Sequence, residues 1–253
     1  MAKPDHASKG NQPDAGSTNG NGLGKLAKEF AQADDLYFVD FTALNGSGIT
    51  GGALLAVNDQ NTPDNLLDDT LTVFIAAQGL EPNQVHIQHI HGFRGEDAPE
   101  AVTPPPSADT DGDGFIELAE GLPFYGEILL NLSSPQGAGL EGFPTAPDGT
   151  IFFSQTYHLH PDSADTGHGG HASGDVIEDF ANLDEYEIVL HGLSVGTEGA
   201  GTDGEVNGIA EYKLVLPVAS GVIESFDDGN GASALAQLRN AFDGHGQDSS
   251  WFL

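Results

Sequence analysis

Apolar and polar residues alternate along most of the chain between residues 36 and 223, the spacing expected of a β-strand with one buried face. Clusters of Gly, Pro, Asn and Asp interrupt this pattern, and no long helical period falls between them. Eight segments carry it: LYFVDFTAL, GGALLAVND, DTLTVFIAAQGL, NQVHIQHIHGF, YGEILLNL, GTIFFSQTYHLH, YEIVLHGLSV and IAEYKLVLPVASGVI. About eight such strands predict an all-β fold, an antiparallel β-sandwich of Greek-key type.

The two ends of the chain follow a different, helical period. LGKLAKEFAQ at residues 23–32 and SALAQLRNAF at 233–242 each place two leucines and a phenylalanine on one helical face. The residues before the first helix are polar and rich in Gly, Asn and Asp, which is typical of disorder. We therefore expect a disordered leader with a short helix at 1–33, the sandwich at 34–226, and a tail with a short amphipathic helix at 227–253.

Charge and cysteine content narrow the function classes. The chain has 39 acidic and 7 basic residues, a formal net charge of -32, so nucleic acid and anionic membrane surfaces are poor partners. Such a surface suits high salt or partial neutralisation by divalent cations. The chain has no cysteine, which excludes disulfides, thiolate metal sites and thiol catalysis. Any metal site must use histidine, carboxylate or carbonyl ligands.

The expected location is outside the cell. No apolar run has the length of a membrane span, and no cleaved secretory signal is visible at the N-terminus. An acidic, cysteine-free chain of this kind is typical of bacterial proteins exported through an uncleaved C-terminal signal, and the ending DSSWFL is compatible with one. We expect a secreted protein, with the periplasm as the alternative.

The segment DTDGDGFIELAE has the spacing of an EF-hand calcium loop. Calcium takes six to eight oxygen ligands, and the tight turn needs glycine at the sixth position, here Gly114. The predicted ligands are Asp109, Asp111, Asp113, the carbonyl of Phe115, Glu117 and Glu120. The alternative is a solvated acidic turn.

Prolines on both sides of this loop argue against a calcium sensor. TPPPS before it excludes an entering helix, and Gly121 and Pro123 are expected to end the exiting helix after about one turn. We therefore predict a lone EF-hand-like loop at 105–121, inserted between strands and acting as a structural clamp.

Histidines recur on three predicted strands. His89 and His91 are two residues apart and point to the same face of a strand, whereas His86 points to the other face unless a bulge intervenes. His158 and His160 repeat this spacing, and His191 lies on a further strand. Together they predict a copper or zinc site, although a single strand histidine is more often an ordinary hydrogen-bonded residue. In a glycine-rich loop, His168 and His171 are candidates for a second or surface site.

The order of these segments resembles a known family. FTALNGSGITGGALLAV, TLTVFIAAQGLEPNQVHIQHIHG, YEIVLHG and VASGVI are similar to the copper/zinc superoxide dismutase fold and its relative, the chordin-type (CHRD) domain, over about residues 36 to 226. The resemblance implies copper ligands at His89, His91 and His191, with His158 or His160 in place of the family's loop histidine.

The chain departs from the dismutase pattern in three places. Proline and the predicted calcium loop occupy the position of the zinc loop, Pro217 stands where the family has the arginine that attracts superoxide, and Ser220 replaces the disulfide cysteine. Arg94 follows His91 closely and is the candidate catalytic substitute for that arginine. The alternative is that Arg94 pairs with a surface carboxylate.

Two functions remain open on these observations. The first is a copper redox enzyme that acts on superoxide or another small oxidant at an open metal position. The second is a non-catalytic, calcium-stabilised extracellular module for matrix, adhesion or metal capture. A nucleophilic hydrolase lacks support, since the chain has neither G-x-S-x-G nor a cysteine nucleophile.

Overall fold

A computed structural model describes residues 28–62, 68–95, 97–158, 182–196, 206 and 209–226. Those residues form ten strands, an α-helix named α1 at Leu118–Tyr125, a helical stretch at residues 28–31, and short 3₁₀ turns at Pro106–Ala108, Leu140–Gly142 and Leu183–Glu185. The strands are β1 Asp35–Asp40, β2 Thr42–Ala43, β3 Thr50–Asn58, β4 Thr70–Gln78, β5 Gln88–Gly92, β6 Glu127–Asn131, β7 Thr150–His158, β8 Glu187–Val195, β9 Glu211–Val222 and β10 Glu224–Ser225.

The strands form two antiparallel five-stranded sheets that pack as a sandwich. One sheet has the order β10-β1-β3-β4-β7, and the other has the order β2-β9-β8-β5-β6. All eight predicted strands are present, and the predicted antiparallel sandwich is confirmed. The first predicted segment divides into β1 and β2, which lie in different sheets.

The core between the sheets uses alternate residues of the long strands, such as β3, β4 and β8. Leu55 on β3, Val73 and Ile75 on β4, and Ile90 on β5 are fully buried there. Ile188 and Leu190 of β8 extend the same cluster. Because successive side chains alternate between faces, the residues between these positions on β5 and β8 project from the opposite face of their sheet.

The long segment between β5 and β6 covers that opposite face. It is tied to the sheet by the Ala101 N–H, which donates to the Glu185 carbonyl at 2.9 Å. Asn45, which has a positive φ of 55°, also joins them: its amide donates to the carbonyls of Ile116 and Pro217 at 2.8 Å each. The segment that carries the acidic loop is therefore packed onto the sheet that carries His89, His91 and His191.

The helix after the acidic loop is longer than the sequence predicts. No α-helix enters the loop, in line with the prolines, but α1 continues through Gly121 and Pro123 for eight residues. A capping box holds its first turn: Glu117 accepts a backbone N–H from Glu120, and Glu120 accepts one from Glu117. The Tyr125 hydroxyl also donates to the Leu118 carbonyl at 3.1 Å, which supports the helix across Pro123. The prediction of a single turn was wrong because these contacts offset the missing proline N–H.

Other predicted elements lie mainly outside the described residues. Residues 28–31 are helical, within the predicted first helix, but the rest of the leader and the C-terminal helix lie outside the described part of the chain. Among the residues that are described, none of the helices has the length and apolar character needed to cross a membrane.

Candidate metal centre

Two neighbouring strands and their irregularities bring three histidines together. β5 and β8 are antiparallel partners, with His89 opposite Val189 and His91 opposite Glu187. The register shifts at His91 where β5 pairs with β6, and around His191 where β8 pairs with β9. One ring nitrogen from each of His89, His91 and His191 lies within 4.8 Å of the other two.

Backbone carbonyls orient two of the three rings. Nδ1 of His91 donates to the Gly126 carbonyl at 3.1 Å, and Nδ1 of His191 donates to the Val215 carbonyl at 2.7 Å. A carbonyl can only accept, so each Nδ1 carries the ring proton and each Nε2 presents a lone pair. The buried atoms without a hydrogen-bond partner include both of these Nε2 atoms and Nδ1 of His89.

These three nitrogens fit a transition-metal ion. An ion held by imidazole nitrogens at ~2.0–2.1 Å requires the nitrogens to be at most ~4.2 Å apart, so small side-chain adjustments suffice from the observed limit of 4.8 Å. Buried polar atoms normally have partners, and one ion would satisfy all three at once. The donor set, three neutral imidazoles, suits copper or zinc.

The surroundings keep the imidazoles neutral. The three histidines are at most 4% exposed, and the rings of Phe143 and Tyr125 pack edge-on against His89 and His91. Burial, with the neighbouring His191, lowers the pKa of His91 to about 3, and burial lowers the pKa of His191 to about 4. The pKa of His89 is lowered well below its ordinary value by burial and by the other two rings. The site is therefore deprotonated and ready for a metal at neutral pH.

His86 lies outside this group and contacts the backbone of one of its members, His191. It is fully buried, and its two ring nitrogens lie 2.9 Å from the His191 carbonyl and 3.0 Å from the Glu81 carbonyl. Gly192 next to His191 has a φ of 111°, and a Cβ there would overlap the Tyr212 hydroxyl. His86 thus holds the β8 backbone at the point where His191 projects.

The remaining predicted histidines are not brought to this group. His158 is exposed at the end of β7, in the other sheet, where its backbone N–H donates to Gln136 at 2.9 Å. His160, His168 and His171 lie outside the described residues. Among the described residues, the group therefore holds three histidines and no fourth protein ligand.

Arg94, the candidate catalytic arginine, lies beside a carboxylate at the surface. Its Nε is 3.9 Å from a carboxylate oxygen of Glu127, and the two side chains are 37% and 61% exposed. This is the alternative arrangement that the sequence left open.

The acidic loop gathers a second group of candidate ligands. Carboxylate oxygens of Asp109, Asp111 and Glu120 lie within 4.8 Å of one another. The Asp109 carboxylate accepts the backbone N–H groups of Gly112 and Gly114, which have φ of 81° and 96°. These left-handed residues close the turn that the sequence predicts.

The other predicted calcium ligands have additional contacts. The Glu117 carboxylate accepts the Val206 N–H at 2.7 Å and caps α1. Phe115 packs against the apolar cluster of Val195, Val206 and Leu216. Partial burial, together with the charges of Asp111, Asp109 and Glu120, raises the pKa of Asp113. A bound divalent cation would reduce the repulsion between these closely spaced carboxylates.

Glu120 connects the start of the loop to the start of α1 through several hydrogen bonds. Its carboxylate accepts the Thr110 hydroxyl at 2.7 Å and backbone N–H groups of Thr110, Asp111 and Glu117 at 2.6, 3.3 and 3.1 Å. Partial burial alone would raise the pKa of Glu120, but these donors lower it.

A buried carboxyl next to the histidines was not predicted. Glu187 is fully buried opposite His91, and the Thr103 hydroxyl donates to it at 2.8 Å. Burial raises its pKa to about 7, and the hydroxyls of Ser220 and Thr103 act in the opposite direction. In the sequence it reads as an ordinary polar residue at a strand start, and only the covering segment with Thr103 makes it buried.

A search of protein-family models finds no match to this chain, and a comparison with curated proteins finds no significant relative.

Proposed function

We propose that this chain is a secreted metal-binding protein whose buried histidine group holds a copper-type ion, with zinc as the alternative. The proposal depends on one observation: the buried rings of His89, His91 and His191 bring one nitrogen each within 4.8 Å of the others, and each ring has one nitrogen without a hydrogen-bond partner. The strongly acidic composition, which suits saline or calcium-rich surroundings, supports a location outside the cell.

Redox chemistry is the function that this site supports best. The positions of the three histidines resemble the copper ligands of the superoxide dismutase family, and superoxide or another small oxidant is the substrate class that this resemblance favours. Bound copper would supply one-electron transfer. The chain's own groups prepare the ligands. Burial lowers the pKa of His191 and so keeps its ring neutral, and the hydrogen bond to the Val215 carbonyl fixes its tautomer.

One observation favours the second candidate, a non-catalytic extracellular scaffold for adhesion, matrix or metal capture. Arg94 lies near Glu127, so its positive charge is partly compensated, and the net charge of -32 repels an anionic substrate. In this second function, the metal ion stabilises the sandwich or is itself the cargo.

Calcium in the acidic loop belongs to both versions of the proposal. The spacing of DTDGDGFIELAE and the cluster of Asp109, Asp111 and Glu120 support it. The loop packs on the sheet through Asn45 and Ile116, so an ion there would stabilise the segment that covers the histidines.

Metal content tests the proposal. Wild type, the double variant His89→Ala/His91→Ala and the control His158→Ala are loaded with copper or zinc, desalted and analysed by mass spectrometry for metal content. We expect about one ion per chain in wild type and in the His158 variant, and none in the double variant. Equal metal content in wild type and the double variant would overturn the proposal.

Superoxide removal then separates the two functions. Copper-loaded wild type is compared with the double variant and with Arg94→Gln. Fast superoxide removal by wild type that is lost in the double variant supports the enzyme function. Slower removal by Arg94→Gln than by wild type would then assign Arg94 to substrate attraction. Stoichiometric copper without any removal supports the scaffold function.

A further inference from the structure

Outside the histidine group itself, the hydrogen bond and the aromatic contact of the His91 ring come from one short segment. Its Nδ1 donates to the Gly126 carbonyl at 3.1 Å, and the Tyr125 ring lies 4.8 Å from it between centroids, at 68° between planes. Tyr125 is the last residue of α1, and Gly126 is its C-terminal cap. The orientation of this ring therefore depends on where α1 ends.

The backbone conformation and close contacts of Gly126 fix the position at which α1 ends. Gly126 has a φ of 79°, its N–H donates to the Leu122 carbonyl at 2.9 Å, and a Cβ there would overlap the carbonyl of Gly92. Gly92 is the last residue of β5, next to His91. The end of the helix is thus pressed directly against the strand that carries the histidine.

The Tyr125 side chain lies back along the helix. Its ring covers Gly121, where a Cβ would overlap the ring, and its hydroxyl donates to the Leu118 carbonyl at 3.1 Å. The ring is completely buried. One face of α1 and one tyrosine therefore form a fixed support between the first turn of the helix and His91.

We propose that Tyr125 is a positioning residue for the histidine group, and that α1 sets the tautomer and direction of His91 through Tyr125 and the Gly126 carbonyl. The part that concerns metal affinity rests on the proposed function, whereas the part that concerns the ring does not. Outer contacts of this kind typically change metal affinity by ~10–100-fold when they are removed. The helix that begins at the acidic loop thereby supports the histidine site.

The test uses ion-free and copper-loaded protein. Long-range proton–nitrogen NMR on the ion-free protein reports which ring nitrogen of His91 carries the proton, and paramagnetic resonance with competition titration reports copper geometry and affinity. The variants are Tyr125→Leu, Tyr125→Phe and Gly121→Ala. The matched control is Tyr157→Leu, because Tyr157 is also fully buried and its hydroxyl also donates to a carbonyl, that of Ser133 at 3.2 Å.

We expect Tyr125→Leu to shift the His91 ring signals, alter the copper spectrum and weaken copper binding by ~10-fold or more. Tyr125→Phe keeps the ring and restores the wild-type spectrum. Gly121→Ala favours helix by ~1 kcal/mol, so a changed spectrum in that variant reports displacement of Tyr125 rather than unfolding. Tyr157→Leu lowers stability without changing either signal.

Unchanged His91 signals in both Tyr125→Leu and Gly121→Ala would overturn the inference, even if copper binds normally. Absence of both copper and zinc binding in wild type would overturn the proposed function, and the NMR comparison would still decide the role of Tyr125. If Tyr125→Leu does not fold, Gly121→Ala provides the same decision.

Discussion

Removal of the buried charge at Glu187 should stabilise the protein in a defined pH range. The carboxyl has no exposed surface, and its pKa is raised from 4.5 to about 7, first by burial. Between these values the folded protein keeps a proton that the unfolded chain has lost. The free energy of unfolding of the wild type therefore falls as pH rises from 4.5 to about 7. Above about pH 7 the contribution of Glu187 has reached its full destabilising value and no longer changes.

The size of the effect follows from that pKa difference. At ~1.4 kcal/mol per pH unit, a rise from 4.5 to about 7 corresponds to an upper limit of ~3–4 kcal/mol. Glutamine does not titrate, and its carbonyl can still accept the Thr103 hydroxyl. We expect Glu187→Gln to be ~1–3 kcal/mol more stable than wild type at about pH 8, and equal to it within ~0.5 kcal/mol below pH 4.5.

Urea unfolding of ion-free protein at several pH values measures this difference. Glu185→Gln is the matched control, since Glu185 is exposed two residues earlier and its substitution should change stability by less than ~0.5 kcal/mol at any pH. A Glu187→Gln variant that is no more stable than wild type at about pH 8 would show that burial does not raise the pKa of Glu187 and that its buried charge costs no stability.

Four further outcomes follow from the same structure. Saturating calcium should raise the thermal midpoint of wild type by ~5–10 °C, and that of Glu100→Ala, a control at an exposed residue outside the loop, by the same amount. The midpoint of Asp109→Ala should not rise, and equal rises in all three proteins would exclude calcium at this loop. Because burial holds the pKa of the carbonyl-bonded imidazoles at about 3 and about 4, copper affinity in competition titrations should stay constant down to about pH 5 and fall only near pH 4. Gly192→Ala should cost ~2 kcal/mol or more in chemical unfolding, since its φ is 111°, whereas Gly196→Ala, with open space around it, should be nearly neutral. An increase from ~0.01 M to ~1 M KCl should raise the thermal midpoint by several degrees, because salt screens the net charge of -32, and an unchanged midpoint would contradict this.

The strands were predictable because they are short runs rich in β-forming residues, bounded by clusters of Gly, Pro, Asn and Asp, even where both faces are buried as in β3 and β4. The alternation of side chains along a strand placed His89 and His91 on one face without any knowledge of the fold. Bringing His191 to them requires the pairing of β8 with β5, which the local pattern does not encode. The recurrence of histidines on separate strands predicted a shared site, and the family resemblance singled out His191 as the partner of His89 and His91.

The H-x-H spacing at His158 shows where local pattern stops being informative. It has the same residue types and spacing as His89 and His91, yet β7 belongs to the other sheet. Which sheet a strand joins depends on long-range packing, so identical motifs can lie in different environments.

Tyr125 and Glu187 were missed for a related reason. Tyr125 follows Pro123, and the proline rule ends the helix before the residue that contacts His91. Glu187 becomes buried only when Thr103 packs over it. Both depend on the long covering segment, whose course is set by tertiary contacts rather than by a periodic pattern.

The burial of the three imidazoles determines how long an ion would remain bound. His89 is 4% exposed, and His91 and His191 are 1% exposed, so solvent and chelators do not reach the ligating nitrogens directly. We expect an ion to leave during a local opening of the structure around the three rings, so that the frequency of such openings sets its residence time. For such a site, affinity and exchange rate are separate properties: the ligands determine the first, and the local stability of the structure around them determines the second.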